Sequence, residues 1–167
     1  MKIAYTMSPS PGDMDEILAH LATKLAESGL RTCGVAQTNT SNEECQHPCD
    51  MDVLVLPDGP VIRISQSLGS EAKGCRLDPA ALEGAVAEVS TRLAKGADVL
   101  ILNKFGKHEA EGRGFRDVVA EALSQDIPVI TGVNKQNLEA FLEFTGGMAE
   151  QVPATVDDLS NWLTNTK

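Results

Sequence analysis

Residues 103–116, NKFGKHEAEGRGFR, hold two lysines, two arginines, two glutamates, a histidine and three glycines. Lys104, Lys107, Arg113 and Arg116 are the donors a phosphate-like anion would need, and glycines at 106, 112 and 114 let backbone amides approach such a ligand closely. Asn103 opens the stretch. If the protein is an enzyme, Glu109 is the catalytic candidate, working with Lys104 and Lys107. The competing reading is a solvated loop whose opposite charges pair with one another. Upstream lies the apolar run 97–102, a buried strand that should end at Asn103. The loop would then leave the carboxyl end of a strand, where ligands of α/β folds sit.

Two further groups bear on chemistry. Arg63 and Arg76, with Gln66 and Lys73, could converge on the same anion, although the odd separation of Arg63 and Gln66 puts them on opposite faces of a regular strand. Cys45, His47 and Cys49 fall within five residues, and Cys75 could complete a Cys3His zinc site. That cluster lacks a second paired knuckle, so a two-thiol role or simple packing competes with metal binding. Cys33, inside a predicted strand, reads as a small buried side chain. Neither G-x-S-x-G nor H-E-x-x-H occurs, and no serine or cysteine has an identifiable base.

The positioning elements follow from periodicity. Residues 2–6 form a strand, and MSPSPG after it excludes both helix and ladder. A helix should begin at Asp13 or Asp15 and run to about Ser28, with Ile17, Leu18, Leu21, Ala22 and Leu25 on its buried face and Gly29 ending it. Residues 31–37 form a strand, and a parallel pair with the first strand is the default expectation for this β-loop-α-β unit. Residues 38–50 read as loop. Residues 51–56 and 61–66, separated by Pro57-Asp58-Gly59-Pro60, read as a β-hairpin. Asp78-Pro79 starts a helix to Leu93, with Leu82, Val86, Val89 and Leu93 as its stripe. A helix over 114–125, a strand over 128–131 and helices over 135–144 and 156–163 complete the chain. This alternation implies one three-layer α/β sandwich with a mostly parallel sheet and an inserted hairpin.

Composition narrows the partners. With 167 residues the chain suits one domain. A net charge of −10 excludes non-specific nucleic-acid binding, and no apolar run is long enough to span a membrane. The first twelve residues do not resemble a signal peptide, so a cytoplasmic protein is expected. Charge is uneven: residues 63–116 carry nine of the fourteen Lys and Arg but seven of the twenty-four Asp and Glu, a balance of +2 against −12 elsewhere. A basic middle in an acidic chain fits a small anionic ligand. A homodimer is the default assembly on general grounds.

The segments CDMD (49–52), GPVIRISQSLG (59–69), GCRLDPAAL (74–82) and NKFGKHEAEGRGFRD (103–117) resemble the bacterial family known as domain of unknown function 2478. Members of that family occur with molybdate-transport functions, and its architecture resembles the small nucleoside-triphosphatases of the P-loop class. The resemblance implies a phosphate-binding loop after the first strand, where this chain has MSPSPGDMD: Gly12 is kept, but no lysine lies between Lys2 and Lys24. Asp13 and Asp15 put negative charge where phosphate would sit. It also implies an acidic metal-holding pair at the strand end, here Asn103-Lys104, while Lys107 matches a lysine of the family pattern and Glu109 is retained. The expectation is a P-loop-like domain with a degenerate phosphate loop that binds a nucleotide or an oxyanion, molybdate among them, in a regulatory role without hydrolysis. The alternatives are a divergent nucleoside-triphosphatase or phosphotransferase working through Lys104, Lys107 and Glu109, or a protein-interaction module.

Overall fold

The computed structural model describes residues 1–8, 10, 12–40, 50–66 and 76–166. In chain order the elements are β1 (Ile3–Thr6), α1 (Asp13–Glu27), β2 (Thr32–Thr40), β3 (Asp50–Val55), β4 (Val61–Arg63), α2 (Pro79–Leu93) and β5 (Val99–Phe105). There follow α3 (Lys107–Ala110), α4 (Arg116–Ser124), β6 (Val129–Val133), α5 (Leu138–Phe144), β7 (Glu150–Gln151) and α6 (Val156–Thr166). Local chemistry explains several boundaries. Asp78 caps α2 by accepting from the amides of Ala80 and Ala81, with Pro79 as the first helical residue. At the end of α1, Gly29 takes a left-handed φ of 82° and the Leu30 amide returns to the Leu25 carbonyl.

Among the described residues the strands form one sheet in the order β4-β3-β2-β5-β6-β1-β7. Strands β2, β5, β6, β1 and β7 pair in parallel, and β3 runs antiparallel to both β2 and β4. The expected mostly parallel sheet with an inserted hairpin is therefore the observed one. Side chains of alternate strand residues feed two cores. One lies under α2, α4 and α5 and includes Tyr5, Leu100, Leu102, Leu82, Val119 and Phe141; the other lies under α1 and α6 and includes Ala4, Ile101, Ile130, Leu18 and Trp162. Each fully buried Leu in them contributes about 1.5–3 kcal/mol.

Four sequence expectations are corrected. β1 and β2 are not neighbours, because β5 and β6 stand between them. The outer edge of β2 is taken by β3, its inner edge by β5, and β1 pairs with β6 in the register Ile3↔Val129. β2 continues through residues expected to be loop, since the pairings Thr38↔Asp52 and Thr40↔Asp50 keep it extended. β4 stops at Arg63, and Ser65 makes only an isolated bridge to Leu77. Finally, β5 does not end before Asn103 but runs to Phe105, with its register against β6 shifting between Leu102 and Phe105. Such an irregularity re-aims side chains. Here Asn103 and Phe105 are buried while Lys104 between them is exposed.

Candidate functional site

A cleft of about 520 Å³ opens at the carboxyl ends of β2 and β5. Its floor is apolar: Val35 from β2, Val53 from β3, Ile64 and Leu77 from the segments beside β4 and α2, Leu82 from α2 and Phe115 before α4. The rim is cationic. Lys104, Lys107, Arg113 and Arg76 line it together with His108, opposed by Glu109 and Glu111. Asn134, Gln136 and Asn137, on the turn between β6 and α5, form a further wall. A concave apolar surface with a few convergent polar groups is the usual form of a small-molecule site.

At the inner end of the cleft three side chains lock together. Asn103 donates from Nδ2 to Asp15 Oδ1 at 2.6 Å and to Gln37 Oε1 at 3.2 Å, and its own Oδ1 accepts from the Gln37 backbone amide at 3.3 Å. Gln37 Nε2 also reaches Asp15 Oδ2 at 3.4 Å. Asn103 and Gln37 are each only 4% exposed, so these bonds satisfy polar groups that water does not reach. The network joins the first turn of α1 to β2 and β5. It also fixes what the β1–α1 loop offers. Asp13, Asp15 and Glu16 occupy the first turn of α1, where their charge complements the helix dipole and repels an incoming anion.

The basic loop is more ordered than its composition suggests. α3 is a short helix closed by a side-chain-to-backbone capping arrangement: Glu109 Oε2 accepts from the Gly106 amide at 2.9 Å, while Oε1 accepts from the Phe115 amide at 3.1 Å. Glu109 is 4% exposed, so it works as an internal staple between the two ends of the loop. Gly114 lies against it with φ 61°, and a Cβ there would fall inside the Glu109 carboxylate. Outside, Glu111 accepts from Arg113 and sits 3.7 Å from Lys107. The hydrogen bond from Arg113 holds the Glu111 carboxyl below the usual carboxylate range. Lys104 makes no ion pair among the described residues.

The structure thus brings Asn103, Lys104, Lys107, Arg113 and Arg76 around one cleft and leaves Gly12, Arg63 and Arg116 off its walls. Gly12 precedes α1 with φ 92°. Arg63 reaches back along the sheet to Asp52 at 3.0 Å and Asp50 at 3.0 Å, and the hydrogen bond to Asp52 strengthens its hold on the proton. Arg76 lies 3.7 Å from Asp50. Arg116 stacks over Phe144 at 4.4 Å and donates to the Glu109 carbonyl at 3.1 Å, tying α4 to α3 and α5. Cys45, His47, Cys49 and Cys75 lie outside the described residues, and among the described residues no group of histidines, cysteines and carboxylates could hold a metal. No helix among the described residues is long and apolar enough to cross a membrane.

Sequence reasoning missed two parts of this site. Asp15 and Gln37 as partners of Asn103 have no local signature, because the contacts span 88 and 66 positions. Asn134, Gln136 and Asn137 do have one: an amide-rich turn directly after a buried strand, at the same sheet edge as Asn103. Residues 135–137 were expected to be helical, but α5 begins at Leu138.

A central, mostly parallel sheet between helical layers, with polar loops gathered at the strand carboxyl ends, defines a three-layer α/β domain. Solved structures bear this out. The fold is similar to THEP1 from the hyperthermophile Aquifex aeolicus, with a TM-score of 0.64 at 18% identity over 100% of this chain and 97% of that one. It is similar, at TM-score 0.64 and 17% identity, to a human cancer-related nucleoside triphosphatase, over 99% of this chain and 95% of the other. Residues 3–162 match the family described as protein of unknown function DUF2478, and the chain belongs to that family. It is also 36% identical over 166 residues to the molybdenum import ATP-binding protein ModC 2 of Bradyrhizobium diazoefficiens. The match covers 99% of this chain but spans only 18% of that relative's length.

Proposed function

We propose that this chain is a regulatory protein that binds a small anionic ligand, a nucleotide or an oxyanion, in the cleft between β5, α3 and the β6–α5 turn, without P-loop hydrolysis. The observation that carries this reading is the 2.6 Å hydrogen bond from Asn103 to Asp15. In a hydrolytic P-loop site the strand residue would be an acid holding magnesium, and the loop would offer a lysine and a hydroxyl to the phosphates. Here the strand side chain is an amide, and the carboxylate sits in the first turn of α1. Anion recognition falls instead to Lys104, Lys107 and Arg113 on the cleft rim. The likeness of nearly the whole chain to one segment of a molybdenum import ATP-binding protein supports a role beside molybdenum import, with molybdate as one candidate ligand.

The test is thermal shift of the purified protein against nucleotides, phosphate, sulfate and molybdate, with phosphate release from nucleoside triphosphates measured in parallel. A rise in Tm with at least one anion, lost in Lys104→Ala combined with Arg113→Ala, supports the reading. No shift with any anion overturns it. The triphosphatase-like fold favours a second reading, a divergent nucleoside-triphosphatase or phosphotransferase. Phosphate release that co-purifies with the chain and disappears in Lys104→Ala, Lys107→Ala and Glu109→Gln would replace our proposal with that one.

A further inference from the structure

We infer that the cleft takes a phosphate monoester of a planar, hydrogen-bonding heterocycle, the chemistry of a nucleoside monophosphate, in preference to a bare oxyanion or a triphosphate. This rests on the anion-cleft reading above and narrows its ligand by three independent properties of the walls.

Size and polarity come first. A tetrahedral oxyanion displaces only a few waters, each about 30 Å³ of liquid, whereas the cleft offers about 520 Å³. Its floor of Val35, Val53, Ile64, Leu77, Leu82 and Phe115 has no donor to give an anion. A bare anion seated there would lose its water without replacement, while the face of an aromatic ring would gain by burial.

Charge comes second. Among the described residues that line the cleft, Arg76, Lys104, Lys107 and Arg113 stand against Glu109 and Glu111, while Glu83, outside the lining, accepts from the Gly114 amide at 3.1 Å. That leaves about two positive charges, matching the charge of roughly −1.5 to −2 on a phosphate monoester near neutral pH. A triphosphate brings more charge than this rim neutralises, and Glu111 would oppose the excess.

The third property is the amide wall. Asn134 Oδ1 accepts from both the backbone amide and the Nδ2 of Asn137, at 3.0 and 2.9 Å. Among the described residues this leaves the Asn134 side-chain nitrogen and the Asn137 side-chain oxygen without partners, one donor and one acceptor on the cleft wall. A heterocycle edge presents the complementary pair; a tetrahedral oxyanion presents acceptors alone.

Calorimetry on the full-length chain separates the possibilities, using the four common nucleoside monophosphates, their nucleosides and triphosphates, inorganic phosphate and molybdate. The expected result is that at least one monophosphate binds tenfold or more tightly than its own triphosphate, its nucleoside, phosphate and molybdate. Lys104→Ala should weaken that monophosphate about tenfold and leave the nucleoside unchanged. Asn137→Ala, at the half-buried turn before α5, should weaken both by a similar factor. Equal or tighter binding of phosphate, molybdate or a triphosphate would overturn this inference and leave the anion-cleft reading standing. Absence of binding by every anion would overturn both.

Discussion

The Asp15 carboxylate and the Asn103 amide meet at 2.6 Å across the edge of the sheet, joining a helix start to a strand end 88 positions away. The contact ties the first turn of α1 to β5 and, through Gln37, to β2. An acid at position 103 would face Asp15 directly, so the amide and the displaced carboxylate depend on each other.

Asn103→Asp should therefore be severely destabilising. It removes both Nδ2 donations and buries a second carboxylate beside Asp15, at a cost of about 2–4 kcal/mol. Two close carboxylates share a proton, so at least one is held protonated to higher pH than in the unfolded chain. The penalty is then largest above the ordinary carboxylate range and shrinks as pH falls through it. Denaturant melts at pH 8 and pH 4 check this; an equal deficit at both, or none, would refute the coupling.

Glu109 acts through its two backbone acceptor bonds. Glu109→Ala leaves the amides of Gly106 and Phe115 unpaired and should cost about 2 kcal/mol or more, with Glu109→Gln losing less because one acceptor oxygen remains. Anion affinity of the folded fraction should hold in Glu109→Gln. A normal Tm accompanied by abolished phosphate release would instead make Glu109 a base.

Arg116 and Lys104 should behave oppositely. Arg116→Ala removes the stacking on Phe144 and the bond to the Glu109 carbonyl, and should cost about 1–2 kcal/mol of stability with little change in ligand affinity. Lys104→Ala should leave the unfolding free energy of the ligand-free protein within about 0.5 kcal/mol of the parent while weakening binding. Paired melts and titrations read both effects.

Glu111 restrains the rim. Arg113 keeps its carboxyl ionised below the usual range, so the pairing is complete above the unfolded pKa and is lost only as pH falls through the depressed folded value. Glu111→Gln should tighten sulfate binding about threefold at pH 7. The parent protein should approach the variant only as pH falls below the ordinary carboxylate range, where Glu111 gains its proton. Sulfate keeps its charge across that window. A parent affinity that rose already between pH 8 and pH 6 would assign the effect elsewhere.

Much of the layer plan was legible because it is written in local pattern. The stripe of Leu18, Leu21, Ala22 and Leu25, the Asp78-Pro79 start and the Pro57–Pro60 turn each name their element from within a few residues. Strand order is not local: nothing near Ile3 announces Val129 as its partner. The same limit governed the site. Clustered charge marked the loop at 103–116, but whether Glu109 faced solvent or the Gly106 and Phe115 amides depended on a fold-back that composition does not encode. Arg63, read as a ligand residue by type, is held by Asp50 and Asp52 because β3 lies alongside β4. Polarity rises at Asn103 and suggests a loop, yet the residue lies within β5 with its amide bonded to Gln37 and Asp15.

The pairing of β1 with β6 has a consequence for the order in which the molecule is made. Of these strands β1 is made before the others, but its two neighbours are residues 129–133 and 150–151. Until most of the chain has emerged, an apolar strand with all four residues destined for burial has no edge to join. The hairpin of β3 and β4 and its junction with β2 close over short loops and can form early. The hairpin side of the sheet can therefore form before β1, the strand that precedes α1, gains its neighbours, and long-range pairing of that kind leaves a strand exposed to other unfinished chains for longer.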